Sequence, residues 1–207
     1  MSMQSTLVSQ FHHPRGLLGQ LAGWIMASRA SNLERNRWTV DLLELNPADR
    51  VLELGPGPGV TLGLLLEQTN AGLVVGMDHS ETMLAQCRKR NARAVREGRL
   101  QLTQGSFTEL LDLPGPFDKI VAVNALQFDG MSNEALSQIT ALLKPGGTFA
   151  VSFQPRGSEP TEEKALAFGE KVASLLKGVG LTGIRIEKLP LEPVCAVCVL
   201  ALAPQES

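Results

Sequence analysis

Short apolar runs alternate with amphipathic stretches along most of the chain. Five runs, RVLELG (50–55), GLVVGMD (72–78), RLQLTQG (99–105), KIVAVNAL (119–126) and GTFAVSF (147–153), have the length and β-branched content of buried strands. Apolar residues at helical spacing fall between most of them, in VTLGLLLEQ (60–68), ETMLAQCRKRNARAVR (81–96) and NEALSQITALL (133–143), and PTEEKALAFGEKVASLLKGV (160–179) follows the fifth. The link from the third run to the fourth, SFTELLDLPGPFD, predicts irregular structure. Alternation of this kind predicts an α/β fold, a parallel sheet with helices on both faces. The end breaks the pattern: TGIRIEKL and VCAVCVLALA are separated only by PLEP, too short for a parallel crossover, so the sheet closes with an antiparallel pair.

Two helices are expected before the sheet. The first covers Pro14 to Ala27, with Leu18, Leu21, Ala22 and Ile25 in register. The second opens at Ser31 with Glu34 three residues on, a capping-box pattern, carries Trp38, Leu42 and Leu45 on one face, and stops at Asn46-Pro47. Residues 1–46 are thus expected as a helical cap or lid on a single compact unit, 47–207.

The first strand runs into Gly55-Pro56-Gly57-Pro58-Gly59, which opens a helix. Glycines let the chain turn sharply and admit a ligand where a Cβ would clash, and the first amides of the helix lack internal partners. The second strand ends in Asp78, 23 residues after Gly55, where a carboxylate can accept both hydroxyls of a ribose. A nicotinamide dinucleotide and a methyl-donor nucleoside both satisfy these features. The turn lacks the G-x-G-x-x-G spacing of a pyrophosphate site, and Glu53 stands inside the crevice. A carboxylate there repels paired phosphates and suits an ammonium, as in S-adenosylmethionine (SAM).

Composition narrows the field. Hydrophobic residues make up 43% and charged residues 19% of 207, a globular mixture sufficient for one core. A formal net charge of -2 speaks against a general nucleic-acid binder. The cluster Arg88, Lys89, Arg90, Arg93 and Arg96 is read as a solvated helix face. No signal peptide is expected in residues 1–11, and Leu17 to Ala27 is too short to span a bilayer, so a cytoplasmic protein without stable membrane insertion is expected. Cys195 and Cys198 sit three apart on an expected strand and so face opposite ways, neither metal pair nor disulfide; Cys87 is read as core. No metal cluster is evident.

VLELGPGPG, GMDHSETML, FDKIVAVNALQF and LLKPGGTFAVSF together resemble the class I SAM-dependent methyltransferases, over about residues 32 to 203. The likeness is looser, but present, to small bacterial enzymes related to the quinone-biosynthesis C-methyltransferases. The resemblance implies a Rossmann-like three-layer sandwich around seven strands, mostly parallel with the last antiparallel. It implies that Glu53, Gly55, Gly57 and Gly59 surround the methionine part of SAM and that Asp78 takes the ribose hydroxyls. His79 would lie beside the adenine, Met83 would pack on its face, and Ser106 and Phe107 would stand where many relatives have glycine-aspartate. Asn124 would lie beside the reactive methyl. The asparagine-proline-proline-aromatic motif of amino-group nucleic-acid methylators is absent, since the chain has NALQ at 124–127.

The expected activity is methyl transfer to a small-molecule acceptor, hydrophobic if the first helix forms its lid, by a monomer or homodimer. A SAM-binding protein without catalysis and an NAD(P)-dependent oxidoreductase are the alternatives. No covalent residue is required; His12 and His13 are candidate bases for an oxygen or carbon acceptor, and Gln127 could orient one.

Overall fold

A computed structural model of the protein describes residues 30–107, 110–126, 131–156 and 159–205. The helix expected at Pro14–Ala27, and with it His12 and His13, lies outside the described residues, as does Gln127. Seven strands form one sheet: β1 (Arg50–Leu54), β2 (Leu73–Asp78), β3 (Leu100–Gln104), β4 (Phe117–Val123), β5 (Leu143–Phe153), β6 (Thr182–Leu189) and β7 (Ala196–Leu202). Their order is β3-β2-β1-β4-β5-β7-β6. β1 to β5 pair in parallel, and β7 runs antiparallel to both β5 and β6. The Rossmann-like fold expected from the sequence is present, closing hairpin included. Strand order reverses between β1 and β4, where parallel sheets open a ligand crevice at their carboxyl ends.

Among the described residues six α-helices accompany the sheet: α1 (Ala30–Asp41), α2 (Val60–Gln68), α3 (Glu81–Arg90), α4 (Ala92–Arg96), α5 (Asn133–Ala141) and α6 (Glu162–Gly178). Period-two alternation of the strands sorts them into two layers. Leu52, Leu54, Ile120, Ala122, Phe149 and Val151 face α5 and α6 through Leu136, Ile139, Val172 and Leu176. Val51, Val121, Ala150 and Leu200 face α1 and α2 through Val40, Leu43, Leu62 and Leu65. Glu53 is two residues from Val51 and so takes a position on this second face that would otherwise hold an apolar side chain.

Three local expectations need correction. Helix α1 begins by Ala30, so Ser31 is inside it rather than capping it, and Glu34 is exposed. Helix α1 ends at Asp41 rather than at Asn46-Pro47, so Leu42 and Leu45 pack with Trp38 against the core from beyond it, and the deepest stripe of α1 is Asn32, Arg35, Asn36, Thr39 and Val40. The helix expected over 81–96 breaks at Asn91, whose side-chain amide donates to Gly59 O at 3.1 Å and Cys87 O at 3.3 Å. Those bonds hold Asn91 at φ -110, ψ 29, outside helical geometry. A 3-10 turn, Leu110–Asp112, interrupts the irregular link from β3 to β4. Cys198 packs with Val121 and Ala150, and Cys195 with Ala165 and Val197, so the two thiols occupy separate clusters.

Candidate functional site

The site is built where β1 stops. Glu53 lies beside Gly76 of β2 and Val121 of β4, and the next residues turn away as Gly55 N donates to Met77 O at 2.8 Å. Gly55, Gly57 and Gly59 all have left-handed backbones, at φ 67, 52 and 78. Their surroundings differ. A Cβ on Gly55 would sit 2.5 Å from Ala125 Cβ, and one on Gly59 2.9 Å from Cys87 Sγ, so those two glycines serve close packing within the protein. A Cβ on Gly57 would meet nothing within 4 Å, so the turn is open to the crevice there.

The turn is fastened from behind by α3. Cys87 Sγ donates to Gly57 O at 3.0 Å, Arg90 Nε to Pro58 O at 3.0 Å, and Asn91 Nδ2 to Gly59 O. Three successive carbonyls are thereby held toward one helix. Sequence reasoning placed Cys87 in the core and Arg90 on a solvated face. The helix spacing 87-90-91 opposite a glycine turn was the available signal.

Asp78 closes the opposite wall. Its Oδ2 accepts from Gly57 N at 3.1 Å and its Oδ1 from Ser80 N at 2.9 Å, and it is 6% exposed. Ser80 caps α3 through its hydroxyl, which accepts from Met83 N at 3.4 Å. His79 stands half-exposed with Nδ1 3.6 Å from Asp78 Oδ1. Met83 is buried, Ser106 exposed, and Phe107 packs partly buried against the core with Cζ 3.9 Å from the Gly55 Cβ position. Asn124 follows β4 at φ 51, a conformation asparagine tolerates. Its side chain is spent on the end of β5: Nδ2 donates to Gln154 O at 3.1 Å, and Gln154 N donates to Oδ1 at 2.9 Å.

Two buried acids therefore meet at an open turn. Burial, reinforced by the Asp78 charge and opposed by a hydrogen bond from Thr61, pushes the Glu53 carboxyl up to about 8. Burial also raises Asp78, against the amides of Ser80 and Gly57 and the nearby His79. Glu53 is 1% exposed and its Oε2 has no hydrogen-bond partner. Among the described residues, neither acid has a lysine or arginine within ion-pair distance. A buried carboxyl with an orphaned oxygen, as on Glu53, accommodates a positively charged ligand.

A methyltransferase-domain family model matches residues 51–147. Over 185 residues the chain is 35% identical to the uncharacterized methyltransferase YdaC of Bacillus subtilis (strain 168), covering 89% of this chain and 98% of that one. The chain is a class I methyltransferase. The methyltransferase is also 36% identical over 137 residues to a trans-aconitate 2-methyltransferase of Variovorax paradoxus (strain S110), covering 62% of this chain but only 48% of that protein. Its fold matches that of magnesium protoporphyrin IX methyltransferase from Synechocystis PCC 6803 with bound SAM, at TM-score 0.65 and 17% identity over 85% of this chain and 81% of that one. SAM is its cofactor, and the residues present fit it: the orphaned Glu53 oxygen suits an ammonium, the open side of Gly57 gives room, and Asp78 offers acceptor oxygens. Family membership displaces the nicotinamide alternative. Among the described residues no helix is long and apolar enough to cross a membrane, and no three His, Cys, Asp or Glu side chains group as metal ligands.

The buried face of α1 is polar, which its apolar periodicity does not indicate. Arg35 Nη1 donates to Gln154 Oε1 at 3.3 Å and Nη2 to Asn36 Oδ1 at 3.0 Å, while Arg156 Nη2 donates to Asn32 Oδ1. Gln154 Nε2 reaches on to Val194 O at 3.0 Å. The polar period Asn32, Arg35, Asn36, Thr39 marks this stripe in the sequence, but apolar periodicity drew attention to the other face.

Proposed function

We propose that this methyltransferase seats SAM across the carboxyl ends of β1 and β2 and passes its methyl group to a small-molecule acceptor held over the ends of β4 and β5. The observation that carries this reading is the pairing of the orphaned, buried Glu53 Oε2 with the open side of Gly57. In this reading Glu53 faces the methionine ammonium, Gly55, Gly57 and Gly59 line its backbone, and Asp78 accepts from the ribose. His79, Met83, Ser106 and Phe107 surround the adenine, and Asn124 borders the methyl group from the β4 side. The segment before α1 is assigned the role of cap, and His12, His13 and Gln127 are the candidate groups for the acceptor.

SAM, when bound, supplies a methyl group on a sulfonium whose departure leaves a neutral sulfide. The protein's task is then chiefly alignment, which can contribute about 7–11 kcal/mol. The Asn124–Gln154 clasp supports this role by fixing the ends of β4 and β5 against each other.

The acceptor class follows from two considerations. Resemblance to quinone-biosynthesis C-methyltransferases favours an apolar ring. The relative named for trans-aconitate, together with the buried polar stripe of α1, favours an acceptor with polar substituents. Turnover of methyl-labelled SAM with a fractionated metabolite pool tests the assignment. Label appearing in a small-molecule fraction supports it. SAM binding without any label transfer would make the protein a non-catalytic binder instead.

A further inference from the structure

A buried positive charge stands at the β5 side of the site with incomplete company. Arg35 is 4% exposed, and its guanidinium donates to two neutral amides, Gln154 and Asn36. Its Nε is buried and has no hydrogen-bond partner. A guanidinium is a donor-only group with five N–H bonds, and desolvating it without an anion is unfavourable. Burial, followed by repulsion from Arg156, lowers Arg35 to about 9, so it remains charged at neutral pH. No acid among the described residues forms an ion pair with it. Residues 1–33 contain no Asp or Glu, and Glu34 is exposed.

The location separates this charge from the acids that face the cofactor. Glu53 and Asp78 end β1 and β2, whereas Arg35 is held by Gln154, the residue after β5. β4 lies between β1 and β5, so at roughly 4.8 Å per strand the end of β5 is about 10 Å from β1 and about 14 Å from β2 across the sheet. Asn124, at the end of β4, is tied to Gln154 by two hydrogen bonds. A molecule reacting with a methyl group presented near β4 would reach Arg35 with its far end. The orphan Nε donor of Arg35 is suited to a carboxylate oxygen, which completes both its charge and its hydrogen bonding.

We propose that Arg35, backed by Arg156, anchors a carboxylate of the methyl acceptor, making the substrate an organic acid. This rests on the reading of the SAM site above.

The test uses the full chain preloaded with S-adenosylhomocysteine (SAH), as wild type, Arg35→Gln and Arg35→Lys. Thermal shift and calorimetry are run at constant ionic strength with acetate, benzoate, succinate, fumarate and citrate, with the amides of the first four, and with inorganic phosphate. The expected result is that at least one carboxylate binds and its amide binds at least tenfold more weakly. Arg35→Gln then loses at least tenfold in affinity for that acid while SAH affinity stays within twofold, and Arg35→Lys recovers part of the loss. Equal binding of acid and amide, phosphate binding alone, or no binding by any of the acids would overturn the proposal. So would a tenfold loss of SAH affinity in Arg35→Gln, because Arg35 would then serve the cofactor's own carboxylate. Should the wild type fail to bind SAH at all, the reading of the SAM site fails first, and the two failures are distinct. If Arg35→Gln does not fold by circular dichroism, Arg35→Lys carries the comparison, with a loss of at least threefold expected from its poorer fork geometry and a smaller or no loss of acid affinity overturning the proposal.

Discussion

Asp78 Oδ2 accepts a hydrogen bond from the Gly57 amide at 3.1 Å, which ties the end of β2 to the glycine turn that follows β1. One carboxylate thus shapes the turn and also offers lone pairs to a ligand. Asp78→Ala removes both contributions. SAH affinity is expected to fall at least 100-fold by calorimetry, together with a small loss of thermal stability. Asp78→Asn keeps one oxygen but turns an amide N–H₂ toward either Gly57 N or Ser80 N, so a loss of similar size is expected. Wild-type affinity in either variant would remove Asp78 from the site.

Glu53 makes the ligand-free protein sensitive to pH. Its carboxyl is raised from 4.5 to about 8 by burial, so between those values the unfolded chain is ionised at this residue while the folded protein keeps the proton. Stability is therefore highest at the acid end of that window, falls as pH rises through it, and levels off above about 8. Asp78 is shifted in the same direction, so Glu53→Gln should flatten the fall without abolishing it. Chemical denaturation at a series of pH values reads this directly, and parallel wild-type and Glu53→Gln profiles would contradict it.

Binding should reverse that protonation. An ammonium beside Glu53 favours its charged form, so SAM binding at pH 7 is expected to release close to one proton. Calorimetry in buffers of different ionisation enthalpy measures the number. Glu53→Gln should release none through this residue, and equal release from both proteins would place the ammonium elsewhere.

The three turn glycines should respond unequally to alanine. Gly57→Ala adds a methyl group into open space at φ 52, so the strain is about 1–2 kcal/mol, yet the methyl group enters the crevice. A modest drop in melting temperature with loss of SAH binding is expected. Gly55→Ala carries the same strain plus a 2.5 Å clash with Ala125 Cβ, so it should destabilise more. If Gly57→Ala left binding unaffected, the cofactor would not approach that side of the turn.

The thiols should be inert in the native state. All three are free and buried, and burial raises each above its ordinary range. An aromatic disulfide reagent is expected to label three cysteines after denaturation and essentially none before. Rapid native labelling of Cys87 would mean that α3 does not hold the glycine turn as described.

Period-two and helical patterns made the sheet, its order of elements and its closing hairpin readable in advance, because buried strands such as VLEL and VCVLA have few alternatives. The end of β1 in a glycine turn and of β2 in Asp78 was equally legible, since backbone turns and strand ends are set locally. The buried face of α1 was not. Its stripe of Asn32, Arg35, Asn36 and Thr39 is stabilised by Gln154, 119 residues from Arg35, and no local preference reports a partner at that distance. The same holds for Asn91, whose contacts with the glycine turn end a helix that propensity alone would continue.

A crystal structure of the full chain with SAH is the most direct measurement. The account predicts ribose hydroxyls within hydrogen-bonding distance of the Asp78 carboxylate, the methionine ammonium on the Glu53 side of the turn, and ligand atoms against the open face of Gly57. SAH bound with its ribose away from Asp78, or with its ammonium turned from Glu53, would contradict it.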